Sequence, residues 1–149
     1  MKLTKVDYDI NSPHGAVQAC LRKKREVVRS VAKGGVTGIG KKSCCSFVSY
    51  LKSDGTVDNV FGNSRIRIPY KLDGLEVVNA CAHGELTALW NVMEDEDNIP
   101  TIISIYIEMS PCKNCKSALN NLLPDGQEIL YSFDYPDEVE KWRKAVRHL

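Results

Sequence analysis

The chain has 149 residues, enough for one compact domain with a sizeable core, and its 20 Lys/Arg against 19 Asp/Glu leave a net charge of +1. With no run of about 18 apolar residues and no basic-then-apolar leader, neither a membrane span nor a secretory signal of its own is expected. The near-neutral total hides an asymmetry: residues 1–75 hold 14 Lys/Arg against 6 Asp/Glu (+8) and residues 76–149 hold 6 against 13 (−7), a pattern that points either to a polyanionic partner on one face or to two solvated surfaces.

In chain order, residues 15–33 read as a helix in which Val17, Cys20, Leu21, Val27, Val28 and Val31 approximate a buried stripe. Arg22-Lys23-Lys24-Arg25 reads as its solvent face. Residues 43–51, rich in Val, Phe and Tyr, predict a strand, and Ser53-Asp54-Gly55 supplies a hairpin turn into a second strand over 56–61. Gly62-Asn63-Ser64 should interrupt that strand, and residues 65–74 form an irregular connection. A helix over 82–93 should bury Leu86, Leu89, Trp90 and Met93, so Trp90 reads as core. The Ile-rich run 101–109 predicts a central strand covered on both faces. Ser110-Pro111 then reads as an N-cap followed by proline at the first helical position, opening a helix to about residue 123. Pro124-Asp125-Gly126 turns into a strand over 128–133, and a last helix covers 136–148. The order α-β-β-α-β-α-β-α predicts a single layered α/β domain, a mixed central sheet with an early hairpin and helical crossovers.

Two motifs carry chemistry. Cys81-Ala82-His83-Gly84-Glu85-Leu86 is answered by Ser110-Pro111-Cys112-Lys113-Asn114-Cys115, which brings one imidazole, two thiols and a carboxylate to candidate metal-binding positions. A catalytic zinc takes three protein ligands and keeps a fourth position for water, and His83, Cys112 and Cys115 meet that count with suitable donors, leaving Glu85 for proton transfer. At an i, i+3 spacing the two sulfurs share one helix face, where the positive end of the helix dipole favours the thiolates that a metal requires. His83 and Glu85 reach the same ion only near a helix start, because residues two apart in mid-helix diverge. A closed structural site, with Cys81, Cys44 or Cys45 as fourth ligand, and a reduced cysteine pair beside a core histidine are the competing readings. Six cysteines, two of them claimed as ligands and two adjacent at Cys44-Cys45, fit a reducing compartment better than a disulfide framework.

The H-x-E and P-C-x-x-C pairing, together with the element order, resembles the cytidine deaminase-like superfamily, whose mark is this arrangement. The resemblance implies Zn²⁺ held by His83, Cys112 and Cys115, Glu85 as proton shuttle, and a three-layer domain. It also places Asn63, after the second strand, where many members present an asparagine to the sugar or base. The tail Glu128-Ile129-Leu130-Tyr131-Ser132-Phe133-Asp134-Tyr135-Pro136 and the compact length look most like bacterial polymorphic-toxin deaminases acting on single-stranded DNA. That likeness implies the C-terminal toxin domain of a larger, delivered protein, working in a target cell's cytoplasm, with an immunity protein as a further partner.

The implied reaction is hydrolytic conversion of cytosine to uracil. Backbone groups around Ala82 and Ser110 are candidates for the base edge, and Phe61, Tyr131, Phe133 and Tyr135 are candidates for stacking against strand-core roles. Arg65, Arg67 and Lys71 are candidates for the nucleic-acid backbone, or for ordinary loop solvation. The alternatives are a free cytidine or nucleotide deaminase of salvage metabolism, an RNA adenosine or cytidine deaminase, and a structural zinc-binding module without turnover.

Overall fold

The computed structural model describes residues 1–32, 43–63 and 101–149. They form a five-stranded mixed sheet and three helices: β1 (Lys2–Lys5), α1 (Gly15–Ala32), β2 (Cys45–Leu51), β3 (Val57–Asn63), β4 (Thr101–Met109), α2 (Lys113–Leu122), β5 (Glu128–Phe133) and α3 (Val139–Arg147). The expected helix over 82–93 and the connection over 65–74 lie outside the described residues.

The sheet order is β1-β5-β4-β2-β3, so the Ile-rich β4 is its central strand. The hairpin forms as expected: β2 and β3 run antiparallel, and Gly55 takes the positive φ of 86° that its turn requires. β3 differs at its end. Ladder pairing continues through Gly62 to Asn63, opposite Cys45, so the predicted interruption does not occur. A glycine weakens a strand but leaves its backbone groups able to pair, and here β2 supplies the partner. β4 pairs antiparallel with β2 and parallel with β5, the latter joined through α2 as a helical crossover.

The sequence pattern gave no sign of β1. It runs parallel to β5 at one sheet edge, Lys2 opposite Glu128 and Lys5 opposite Tyr131. Its four residues and two lysines are too short and too polar for a strand pattern, while edge lysines suit a strand that must not pair further. At the end of β1, the Lys5 ammonium is gripped by Asp134, at 2.7 Å, and by Glu138, which pin the segment to the end of β5.

Alternation along β4 sends side chains to two cores. Ile105 and Ile107 pack with Val48, Tyr50, Ile129 and the α2 residues Cys115 and Leu119. Tyr106 packs with Leu130, Cys45 and the α1 residues Val17, Cys20 and Leu21. One face of the sheet is thus closed by α1 and the other by α2. A third cluster, Met109, Trp142 and Val146, seats α3. No described helix is long and apolar enough to cross a membrane.

Candidate metal centre

The two cysteines of the C-x-x-C motif open α2, but the cap lies two residues later than Ser110. Cys112 is the N-cap, with φ −63° and ψ 167°, and its Sγ accepts from the backbone N–H of Cys115 at 3.5 Å. Lys116 N–H donates to the Cys112 carbonyl at 2.8 Å, the first bond of the helix. Ser110 cannot cap because it is engaged elsewhere. Its N–H donates to the Phe133 carbonyl at 2.8 Å, and its Oγ accepts from Tyr135 N–H at 2.9 Å, so the chain is held beside the end of β5. Pro111 follows, ahead of the helix. The sulfurs thus stand at a helix start as the spacing predicts, with Cys112 and not Ser110 as the cap.

Both sulfurs lie at the positive end of the α2 dipole and at the carboxyl end of β4, the end of an α/β sheet where ligands bind. Cys115 is buried against Ile105, Ile107 and Leu119, whereas Cys112 is half-buried at the rim of that core. The five described cysteines are thiols. Among the described residues, no three His, Cys, Asp or Glu side chains group as a metal site. His83 and Glu85, the other half of the predicted constellation, lie outside the described residues, as do Ala82, Arg65, Arg67 and Lys71.

The sheet registers bring further candidates to this end. Asn63 pairs with Cys45, and Cys45 N–H donates to the Glu108 carboxylate at 2.7 Å, so the last residue of β3 lies across β2 from the end of β4. On the other side, Met109 is opposite Phe133. Tyr135, 49% exposed, is held to Ser110 and follows Phe133 by two residues. Phe133 is half-buried and tilts against Tyr8 at a centroid distance of 5.1 Å. Phe61 packs against the α1 core and Tyr131 against the α2 core. Of the four aromatic candidates, Tyr135 is the large exposed one at this end.

Sequence reasoning missed the polar cluster beneath the site. Glu108 is fully buried, yet its carboxylate accepts from Lys24 Nζ at 2.6 and 2.8 Å, Cys45 N–H at 2.7 Å, Tyr8 Oη at 2.5 Å and Trp142 Nε1 at 3.0 Å. Lys24, equally buried, also donates to the Ser43 carbonyl at 2.9 Å and lies 4.8 Å from the Trp142 ring centroid. Lys24 is therefore not part of the solvent face assigned to Arg22-Lys23-Lys24-Arg25. Burial alone would lower its pKa, but the Glu108 carboxylate outweighs that and holds it above its ordinary value. Burial and the same carboxylate push the Tyr8 phenol far up, so it stays a protonated donor. One carboxylate, four residues before Cys112, thus ties β4 to β2, α1, α3 and the segment after β1. Two signals were available. Lys24 continues the apolar spacing of Val17, Cys20, Leu21 and Val28, and a glutamate inside a strand covered on both faces requires a buried cation.

A scan against protein-family models and a search of curated proteins each returned no match to this chain.

Proposed function

We propose that this protein is a zinc-dependent hydrolytic deaminase that converts cytosine to uracil in single-stranded DNA, and that it serves as a mutagenic bacterial effector acting in a target cell's cytoplasm. The observation that carries the reading is the seating of Cys112 and Cys115 together at the start of α2, at the carboxyl end of the central strand. A hairpin and a helical crossover ending at one end of the sheet support it: Asn63 closes β3 at that end, and Tyr135 is hydrogen-bonded to Ser110 between β4 and α2.

The donor chemistry fits zinc. Two soft sulfurs on one helix start, joined by the His83 imidazole, make a three-ligand set, and these three residues would hold the ion. When bound, zinc supplies a Lewis acid that brings the pKa of a water to about 7. Glu85 then takes the proton of the attacking water, protonates ring N3, and carries a second proton to the departing amino group. Water contributes the new C4 oxygen and ammonia leaves. With the Ser110 N–H spent on Phe133, its carbonyl is the group suited to accept from the exocyclic amine, while the backbone at Ala82 meets the base from the other motif. Asn63 positions the nucleotide, Tyr135 offers a stacking surface, and Phe133 backs it from the core. Arg65, Arg67 and Lys71 follow the strand's phosphates.

The test is to offer the purified domain single-stranded DNA, duplex DNA, RNA and free cytidine, then map base conversion. C-to-U conversion fastest in single-stranded DNA is expected. Equal or better turnover of free cytidine would move the protein to nucleoside salvage, A-to-I conversion would move it to adenosine chemistry, and zinc binding without turnover would leave a structural module.

A further inference from the structure

Arg22, Arg25 and Arg29 follow one another on α1 at spacings of three and four, so their side chains form one stripe along the helix. Arg22 and Arg29 are exposed and Arg25 is half-buried. Among the described residues these three enter no ion pair; Glu26, the one acidic residue of α1, lies 3.9 Å from Lys23 instead. The direction of the stripe is fixed from within. Lys24 is turned inward to Glu108 and Ser43, and that fully buried pair locks the rotation of the helix, holding its neighbours Arg22 and Arg25 on the remaining surface. The same pair holds the middle of α1 at the end of β4 from which Cys112 follows four residues later.

We propose that this stripe, on the α1 side of the sheet, is a phosphate track for single-stranded DNA, an inference that rests on the deaminase reading. Guanidinium groups bind phosphate oxygens through paired N–H donors, and a helical rise of 1.5 Å per residue spreads these three over about 10 Å, the length of a few nucleotides. A row of like charge fits a uniform polyanion better than a protein interface, whose core requires buried apolar anchors.

The experiment measures binding of the intact domain to oligo(dT), which holds no cytosine and so reports binding without turnover, across a range of NaCl. The parent is compared with Arg22→Gln/Arg29→Gln, both at exposed positions so that folding is spared, and with Lys2→Gln/Lys52→Gln as a control of equal charge change. The expected result is weaker binding by the arginine variant and a log-affinity versus log-salt slope shallower by about 1.4, at roughly 0.7 per lost phosphate contact, with the control near the parent. Adding Arg25→Gln should bring the loss to about 2.1. An unchanged slope, or an equal loss in the control, overturns the track. So does stripe-dependent binding to anionic vesicles without binding to oligo(dT), which would make the surface a membrane contact. A parent that converts cytosine while the arginine slope is unchanged loses the track alone. A parent that binds oligo(dT) through the stripe and converts no base loses the deaminase reading alone.

Discussion

Replacing Glu108 with glutamine keeps the shape of the side chain and removes its charge, which isolates the electrostatic role of the buried cluster. The carboxylate receives donors on both oxygens: Lys24 and Cys45 N–H on Oε1, Lys24, Tyr8 and Trp142 on Oε2. A carboxamide supplies one acceptor oxygen and one NH₂. Whichever way it is turned, the NH₂ meets a group that cannot accept, either the Cys45 amide or the Trp142 indole N–H, and Lys24 is left buried without its counter-charge. Removing one member of a buried pair costs about 3–5 kcal/mol. Against a total stability of about 5–15 kcal/mol, that is a large fraction. Urea unfolding should therefore show a much lower midpoint at an unchanged slope. Lys24→Met should cost a similar amount, and Lys24→Met/Glu108→Leu clearly less than the two single changes together, because neither charge is then stranded. A loss below about 1 kcal/mol for Glu108→Gln, or strict additivity in the double variant, would refute the buried pair as the tie between β4 and its neighbours.

Tyr8→Phe removes one donor to a charged acceptor and should cost about 1.5–3 kcal/mol in the same urea assay, with a neutral result ruling out the Tyr8–Glu108 bond. Cys112→Ser should retain the cap of α2 yet lose stoichiometric zinc, whereas Cys112→Ala should lose both, with about 1 kcal/mol of helix stabilisation gone; full zinc content in either variant by elemental analysis would remove Cys112 from the ligand set. The Lys5 hydrogen bond, reinforced by the Asp134 backbone, lowers the Glu138 carboxyl to about 2 from 4.5, so its contribution to stability is complete above pH 4.5 and fades as pH falls through about 2. NMR titration should find that midpoint and see it rise in Lys5→Met; a Glu138 midpoint unmoved by the change would show that Lys5 is not its cause.

Local structure was legible where it depends on residue types at fixed spacing. Cys112 and Cys115 stand on one helix start because C-x-x-C spacing matches a helical turn, and the hairpin was readable from Ser53-Asp54-Gly55 because its turn depends on local residues. What escaped depends on distant partners. Ser110 has the composition of a cap, but β5 claims both its N–H and its hydroxyl from more than twenty residues away. β1 exists because Glu128–Tyr131 offers it an edge, not because Lys2–Lys5 favours extension by itself. Glu108 and Lys24 each look ordinary alone, one in an Ile-rich strand and one in a basic run, and acquire their meaning as a pair 84 residues apart.

The most direct measurement compares the parent with Glu85→Ala on a cytosine-containing single-stranded oligonucleotide, with zinc content determined in the same preparations. C-to-U conversion by the parent is expected, and full zinc with turnover lost in the variant, because Glu85 moves protons and is not counted among the ligands. Turnover by Glu85→Ala within tenfold of the parent, or a zinc-loaded parent that converts no cytosine, would contradict it.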